Sequence, residues 1–370
     1  MIGSTSPAGA NRANRRYRVR QVAFVALLPL LAATSLIPSV SGTAWAQTGG
    51  TAGAIRVEDP LLRQAEEEAR RLDQGAGGAT GSGGDCKPAN AREIYYGEPI
   101  NQKATVGISF MEDGSPQICT GVVVAENAVL TAGHCSCGSN YRLWFGERIS
   151  EEAVSIRPSR VSAYSSRFGR YDCRATQRPQ PGFDYGVITF DPSALGLPEQ
   201  RKGLYTIAKV LPPALARVSR LEVGGNLLAV GYGLTETNSK GRKLGVPIPV
   251  SSWDCAEPWA GNRGCQSFSE IIMSARPAAG KQGLGRDSCG GDSGGPAFAV
   301  VATETCNRVQ KSYYLVAITS RGMQLRSDES TEGKPCGGGG VYEVVARQSV
   351  IDWLRANGVA VDVEKLVPGR

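Results

Sequence analysis

The chain has 370 residues, of which 41% are hydrophobic and 20% charged, with ten cysteines, 47 glycines and one histidine. These are globular proportions, so the composition excludes a wholly disordered chain and a collagen-like repeat. The length suits one large domain or two small ones. A single histidine excludes any metal site that needs two imidazoles. If an imidazole performs acid–base chemistry near neutral pH, His134 is that group.

The first 46 residues have the pattern of an export signal. Five arginines precede an apolar run, and Ala44-Trp45-Ala46 has the small-residue form of a cleavage site. Pro29 interrupts the run, which is short for a membrane span of ~20 apolar residues. We therefore predict a signal peptide over 1–46 and no stable membrane anchor. An uncleaved anchor is the alternative.

Removal of this segment changes the net charge of the chain, and export places the chain in an oxidising compartment. The formal net charge of +7 includes those five arginines, the only charges before Gln47, so a mature chain carries +2. This weak charge predicts no nucleic-acid binding. Export to the periplasm or the extracellular space favours disulfides over metal sites for the ten cysteines. We predict no metal site.

Residues 47–93 differ in composition from the C-terminal remainder of the chain. A short helical pattern from Asp59 to Leu72 precedes a Gly/Ser-rich stretch, 75–84, which is typical of flexible linkers. We interpret 47–93 as a pro-segment and linker, and 94–370 as the folded domain. A disordered mature N-terminus is the alternative interpretation of 47–93.

From Thr105 onward, short β-rich runs alternate with turn residues. This spacing is typical of an all-β sandwich or barrel. One C-terminal helix is predicted over Ser349–Asn357, with Gly358 as its stop. The clearest strand runs are Val122–Val124, Tyr141–Phe145, Val187–Phe190, Leu227–Val230, Ala297–Val301 and Tyr313–Ile318.

Three separate segments contain the residue types that serine-based acyl transfer requires. His134 lies in Thr-Ala-Gly-His-Cys, Asp184 precedes a strand-like run, and Ser293 lies in Gly-Asp-Ser-Gly-Gly-Pro. The chemistry needs a nucleophile, an imidazole that takes its proton, and a carboxylate that orients the imidazole. Glycines around Ser293 permit a turn whose N–H groups point at a developing oxyanion. Read one at a time, the three residues also fit a core histidine, a strand-edge carboxylate and a loop serine.

In this order, the three segments resemble the trypsin/chymotrypsin family of serine endopeptidases. The resemblance extends over roughly Ile94–Val359 and implies an all-β fold of two six-stranded antiparallel β-barrels with a C-terminal α-helix. It implies a catalytic triad of His134, Asp184 and Ser293, and an oxyanion hole formed by the N–H groups of Gly291 and Ser293. It also implies protein or peptide substrates and no cofactor.

The same resemblance places Asp287 at the base of the primary specificity pocket. A buried carboxylate there selects Arg or Lys before the cut, because the substrate cation relieves an unpaired buried charge. Gly322 and Gly340 correspond to glycines of the pocket wall, and Ser320 to the segment that pairs with the substrate backbone. The alternative is a solvated Asp287 paired with Arg286.

Arg321 departs from the family, which usually has Trp at this position beside the cleft. A cation on this surface predicts a preference for acidic or polar residues upstream of the cut. In the alternative interpretation, Arg321 leans towards Asp287 and weakens selection of Arg or Lys.

Ten cysteines allow many pairings, so the sequence alone does not fix them. The family resemblance implies two bridges, and proximity along the chain gives two further guesses. The last two cysteines remain by elimination. In that order, the predicted pairs are Cys119–Cys135, Cys289–Cys336, Cys137–Cys173, Cys255–Cys265 and Cys86–Cys306.

The activation segment is the second departure. In the family, cleavage frees an amine that pairs with the Asp before the nucleophile, here Asp292. The best match to the new N-terminus is Ile94, but Glu93 precedes it and Arg92 lies one residue further back. A tryptic cut therefore leaves one residue too many, so either another enzyme completes the processing or another group satisfies Asp292. Our hypothesis is that a free Ile94 amine is required for activity.

The sequence thus predicts an exported serine endopeptidase, and it does not predict an oligomeric state. The alternative is a protease-like binding or regulatory protein whose intact active site is not ordered. Arg321 and the irregular activation segment favour that alternative. An esterase on another fold fits less well, because the nucleophile lies in Gly-Asp-Ser-Gly-Gly and not in Gly-x-Ser-x-Gly.

Overall fold

The structure is a computed structural model that describes residues 97–175, 179–218, 225–274, 286–305, 308–325 and 336–364. The predicted signal peptide, the pro-segment and Ile94 lie outside the described residues. Cys86 and Cys306 also lie outside them, so their predicted pairing stays a prediction.

The described chain is mostly β-strand, as predicted, and each of the six predicted runs coincides with a strand. The strands are β1 (Glu98–Pro99), β2 (Thr105–Glu112), β3 (Ser115–Ala125), β4 (Ala128–Thr131), β5 (Ser139–Phe145), β6 (Val154–Ile156), β7 (Arg160–Ala163), β8 (Ser165–Ser166), β9 (Gly169–Arg170), β10 (Gly186–Thr189), β11 (Lys209–Val210), β12 (Asn226–Gly231), β13 (Leu244–Ser252), β14 (Glu270–Met273), β15 (Pro296–Thr305), β16 (Arg308–Gly322) and β17 (Gly340–Val344).

The helices of the described residues are short. The C-terminal helix begins and ends one residue earlier than predicted, and Gly358 follows it at φ 78°, a conformation that suits a glycine stop. The α-helices are α1 (Pro198–Leu204), α2 (Pro213–Val218), α3 (Pro258–Gly261) and α4 (Gln348–Ala356), with 3-10 turns at His134–Ser136 and Pro192–Leu195.

The C-terminal half forms the closed six-stranded antiparallel barrel that the family resemblance implies. Its strands pair in the order β13-β12-β15-β16-β17-β14, and β14 pairs back to β13. β1 adds to β13 at the edge, and β11 pairs with β16 in parallel. Fully buried aliphatic side chains such as Ile248, Ile271 and Val316 fill its interior.

The N-terminal half differs from the expected six strands in one respect. Seven strands pair in the order β6-β5-β2-β3-β4-β10-β7, and within the described residues the end strands β6 and β7 do not pair with each other. These two strands are consecutive in the chain and are separated only by residues 157–159. Pro158 lies between them and has no N–H to donate to a ladder. The expected sixth strand is therefore divided into one part that pairs with β5 and one that pairs with β10.

A shared core joins the two sheets. Val122 and Leu130 of the N-terminal sheet belong to the same buried cluster as Val230 and Phe298 of the C-terminal sheet, and Leu354 of α4 joins them. Burial of this apolar surface holds the strand ends of the two halves together. The segments that contain His134, Asp184 and Ser293 all adjoin strands of this shared region.

Four of the five predicted disulfides are present, with Cα atoms 5.3 to 6.2 Å apart, as disulfide geometry requires. Both bridges implied by the resemblance and both guesses from proximity are confirmed. The pairs are Cys119–Cys135, Cys289–Cys336, Cys137–Cys173 and Cys255–Cys265.

Candidate active site

Strand register brings His134 and Asp184 together. β4 and β10 are antiparallel with Gly186 opposite Thr131, so the residues just before β10 lie beside those just after β4. Asp184 precedes Gly186 by two residues, and His134 follows Thr131 by three. The Nδ1 atom of His134 lies 3.0 Å from Oδ2 of Asp184, and the His134 backbone N–H donates to Oδ1 over 2.9 Å.

Asp184 is fully buried and is held from two further sides. The Ser320 hydroxyl donates to its Oδ2 atom over 2.7 Å. The backbone N–H of Asp184 donates to Oε1 of Glu343 over 3.2 Å. These contacts fix the carboxylate against the imidazole, which then presents its other nitrogen, Nε2, away from Asp184.

Ser293 lies on the loop before β15, and backbone bonds join this loop to the segment around His134. Thr120 N–H donates to the Ser293 carbonyl over 2.9 Å. The neighbour of Thr120, Cys119, is bridged to Cys135, which follows His134 directly. The structure therefore brings the predicted nucleophile loop to the predicted base.

Gly291, which is predicted to contribute to the oxyanion hole, has a backbone conformation that favours glycine. Its φ is +102°, a region that favours glycine, and an added Cβ would lie 2.9 Å from the Cα atom of Gly233. The Thr120 hydroxyl donates to the Gly291 carbonyl over 2.9 Å. Within the described part of the chain, the N–H groups of Gly291 and Ser293 have no hydrogen-bond acceptor, so both remain available to an oxyanion.

Asp287 is buried at 3% exposure, which contradicts the alternative of a solvated acid paired with Arg286. Its carboxylate instead accepts backbone N–H bonds from Ser288, Gly337 and Gly339 over 2.8, 3.0 and 2.9 Å. Arg286 donates to the Pro247 carbonyl. Burial raises the pKa of Asp287 to about 6, and the backbone donors oppose that rise.

The two predicted wall glycines differ in what surrounds them. A Cβ at Gly322 would meet nothing within 4 Å, so this residue faces open space. A Cβ at Gly340 would come within 2.9 Å of the Tyr342 ring and 3.1 Å of the Ser288 hydroxyl. Only the second position is therefore crowded, and the wall role of both glycines stays a prediction.

Asp292 is buried directly behind the nucleophile. Its carboxylate accepts N–H bonds from Gly233 over 2.7 Å and from Cys289 over 2.8 Å. Burial raises the pKa of Asp292 to about 7, against the effect of these two donors, and the nearby Asp287 carboxylate adds to the rise.

Comparison with known proteins decides the family. The family model described as trypsin matches residues 94–354, which is well over half of the chain. The chain belongs to the trypsin family. It is 27% identical to Trypsin-1 of Astacus astacus over 262 residues, which are 70% of this chain and 92% of that protein. It is 28% identical to phenoloxidase-activating factor 3 of Holotrichia diomphalia over 265 residues, which are 65% of this chain and 63% of that protein.

One solved structure is also similar to this trypsin-family chain. It is neuropsin, a serine protease expressed in the limbic system of mouse brain, with a TM-score of 0.44 and 19% identity. The likeness covers 70% of this chain and 96% of that one. At this level it adds nothing to the family assignment.

Arg321 lies against Glu270 and not against Asp287. Its guanidinium donates to both carboxylate oxygens of Glu270 over 2.7 Å each, so it does not lean towards Asp287 and that interpretation is wrong. Glu270 partly compensates the charge of this guanidinium. The predicted preference for acidic or polar residues upstream of the cut stays a prediction.

Glu270 and Glu343 are the site residues that sequence reasoning missed. Both are fully buried beside Asp184, and the Gly182 N–H donates to both, over 3.0 and 2.8 Å. The available signal was a carboxylate inside an apolar strand run, Glu270-Ile-Ile-Met and Val-Tyr-Glu343-Val. Charged residues are almost never fully buried unless they are paired, so each position indicated an unidentified partner.

One group of potential metal ligands lies in this trypsin-family site. The ligand atoms of Cys119, His134 and Cys135 are all within 4.8 Å of one another. Both sulfur atoms belong to one disulfide and cannot act as thiolates, so the group does not fit a metal ion. Among the described residues, no helix is both long and apolar enough to span a membrane.

Proposed function

We propose that this protein is an exported serine endopeptidase that hydrolyses peptide bonds through Ser293, His134 and Asp184. The observation that carries the proposal is the His134–Asp184 pair, joined at 3.0 Å and placed beside a serine loop with two available N–H groups. Trypsin-family membership supports it, since relatives such as Trypsin-1 of Astacus astacus are named as proteases.

The mechanism follows from what each group can donate or accept. Nε2 of His134 takes the Ser293 proton as Oγ attacks the carbonyl carbon, and Asp184 stabilises the resulting imidazolium. The N–H groups of Gly291 and Ser293 stabilise the oxyanion of the tetrahedral intermediate. The imidazolium then gives its proton to the leaving amine, and water releases the acyl group from Ser293 by the same two steps.

Asp287 supports cleavage after Arg or Lys. Three backbone donors occupy part of the lone-pair capacity of its carboxylate, and a substrate guanidinium or ammonium takes the remainder. Gly322 and Gly340 leave room for the long side chain, and Ser320–Gly322 pairs with the substrate backbone as an added strand.

The domain boundaries and the activation step belong to the same proposal. Residues 1–46 act as a signal peptide, 47–93 form a pro-segment and linker, and 94–370 form the protease domain. Four disulfides in the described residues support export to an oxidising compartment. The family match begins at residue 94, which supports Ile94 as the processed N-terminus whose amine pairs with Asp292.

Active-site labelling tests this function. The processed protein, with Ile94 confirmed by N-terminal sequencing, is treated with an organophosphate and the adduct is located by mass spectrometry. We expect one adduct on Ser293, and a loss of labelling rate on the order of 10⁶-fold in His134→Ala. The control variant Arg142→Gln changes an exposed arginine on β5 and should label at the wild-type rate.

The labelling experiment also separates the two sequence hypotheses. A processed protein that forms no Ser293 adduct is a protease-like binding or regulatory protein. Profiling of a peptide library then tests the specificity, with Arg and Lys expected before the cut.

A further inference from the structure

A salt bridge lies directly behind the strand that carries Ser320. The Arg321 side chain is 15% exposed and that of Glu270 is fully buried, and the two form a bidentate pair. The Gly264 carbonyl accepts from the same guanidinium. A guanidinium held at three acceptors has little freedom left, so its remaining contacts are fixed in direction.

A β-bulge turns Ser320 and Arg321 towards each other. In a regular strand, consecutive side chains point to opposite faces of the sheet. The pairing of β16 with β17 shifts register between Thr319 and Arg321, which leaves Ser320 in the irregularity. As a result, Nη1 of Arg321 lies 3.2 Å from the hydroxyl of its own neighbour, Ser320.

The chemistry of these groups gives the hydrogen bonds one direction. A guanidinium has donors only, so the Ser320 oxygen must accept from Arg321. The hydroxyl hydrogen of Ser320 is then free for Oδ2 of Asp184, which lies 2.7 Å away. A chain of bonds therefore runs from Glu270 through Arg321 and Ser320 to the carboxylate that contacts His134. Such chains polarise and strengthen their members.

Buried carboxyl groups and a second arginine surround the Arg321 guanidinium. Glu270, Glu343 and Asp184 contribute three buried carboxyl groups, and Arg321 and Arg347 contribute two cations. Burial raises the pKa of Glu343 well above its ordinary value, and the neighbouring Glu270 and Asp184 add to the rise. Arg321 and Arg347 are the cations that lie beside these carboxyl groups.

We propose that Arg321 is a positioning residue of the catalytic centre. Glu270 anchors the Arg321 guanidinium, and Arg321 acts on Asp184 through the Ser320 hydroxyl. The inference rests on the proposed function, because it assigns Arg321 a part in the same site. It places the effect of Arg321 on the chemical step and not on substrate binding.

A double-mutant cycle on Arg321 and Ser320 tests this route. In Arg321→Gln we expect kcat to fall about 10-fold, the order of a lost charge-assisted hydrogen bond, with KM within about 2-fold of wild type. Ser320→Ala removes the hydroxyl that connects Arg321 to Asp184. In a protein that already carries Ser320→Ala, the further change Arg321→Gln should therefore lower kcat by less than about 2-fold. If instead the losses multiply to about 100-fold, or Arg321→Gln changes only KM, Arg321 does not act through Ser320.

A second readout does not require activity. His134 is the only histidine, so the Nδ1 proton that faces Asp184 gives one assignable NMR signal. We expect this signal to move in Arg321→Gln and in Ser320→Ala, and to move no further in the double variant. The exposed-arginine control, Arg142→Gln, should leave it in place. An unmoved signal in folded Arg321→Gln overturns the inference, whereas a moved signal in a protein without hydrolysis overturns only the proposed function.

Loss of folding does not leave the inference untested. Arg321→Gln strands a buried carboxylate, and such a charge is strongly destabilising. If that variant does not fold, Glu270→Gln is added to it, which leaves a neutral pair of glutamines. The double-mutant cycle of Arg321→Gln and Ser320→Ala is then measured in proteins that all carry Glu270→Gln. The same kinetic and NMR criteria then decide.

Discussion

At the scale of single residues, burial sets the useful pH range of Asp287. Under the proposed function a substrate cation binds the ionised carboxylate, and burial raises the pKa of Asp287 to about 6. As the pH falls from 7 to 5, the carboxylate becomes protonated, so KM for a peptide with Arg before the cut should rise several-fold. Initial rates at fixed pH values measure this, with kcat followed separately. A KM that stays constant over this range contradicts binding by Asp287.

Asp287→Asn tests the same residue without a change of pH. We expect kcat/KM for Arg and Lys peptides to fall by about 100-fold or more, because the amide keeps the shape but loses the charge that the cation requires. The matched control is Asp352→Asn, an exposed aspartate on α4, which should leave kcat/KM unchanged. Equal losses for charged and uncharged substrates would indicate a folding defect and not specificity.

The same scale shows which residues the sequence was able to predict. His134 and Ser293 lie in short local motifs, and Asp184 was placed by its order and its strand-like neighbours. The partner of Arg321 was not predictable in this way. Glu270 lies 51 residues earlier in the chain, and only the barrel closure brings the two together. A local pattern carries no signal for a pair made by long-range strand pairing.

At the scale of elements, the loop before β15 depends on a backbone conformation that glycine alone adopts readily. Gly291→Ala introduces a Cβ 2.9 Å from the Gly233 Cα at a φ of +102°. We expect the displaced N–H to lower kcat on the order of 10²-fold, as loss of an oxyanion donor does. Gly203→Ala is the matched control. Gly203 lies in helix α1, and a Cβ at this position would have no neighbouring atom within 4 Å. If both variants retain wild-type kcat, the N–H of Gly291 has no catalytic part.

The positions of the strands could be predicted from local sequence patterns, whereas their pairing and irregularities could not. Apolar and β-branched runs located the strands, because alternation and turn residues are local properties. The division of one expected strand into β6 and β7 depends on which partner each part finds, and Pro158 alone does not reveal it. The bulge at Ser320 is likewise invisible in the sequence, although it decides which way two functional side chains point.

At the scale of the whole molecule, the proposed activation step would couple the N-terminus to the loop that carries Ser293. Asp292 is fully buried, and the described residues offer it two backbone N–H groups and no cation at salt-bridge distance. Under the proposed function, we expect the amine of Ile94 to supply that cation after processing. Activity of the processed enzyme should then fall at alkaline pH as the amine, whose ordinary pKa is ~7.7–8.0 and is raised by pairing, loses its proton. Full activity in a protein whose sequenced N-terminus lies upstream of Ile94 contradicts this coupling.

The stability of the unprocessed chain should also fall as the pH rises. A buried carboxyl with a pKa of about 7 when folded, against ~3.9 when unfolded, binds more protons in the folded state. Its contribution to stability is therefore full below about pH 4 and is lost as the pH rises through 7. Unprocessed Ser293→Ala protein, which cannot cleave itself under the proposed mechanism, should have a Tm several degrees higher at pH 5 than at pH 8.

To isolate the contribution of Asp292, the Tm at pH 5 and at pH 8 is also measured for the double variant Ser293→Ala, Asp292→Asn and compared with that of Ser293→Ala. The amide does not titrate, so the difference in Tm between pH 5 and pH 8 should shrink, and the remainder comes from other groups such as Asp287, whose raised pKa acts in the same direction. In the processed form, the Ile94 amine favours the ionised carboxylate, and the pH dependence of Asp292 should reverse towards greater stability near neutral pH. A buried carboxyl without a cation must make the stability depend on pH. If the Tm changes equally with pH in the proteins with and without Asp292→Asn, Asp292 does not contribute to the pH dependence and this prediction is wrong.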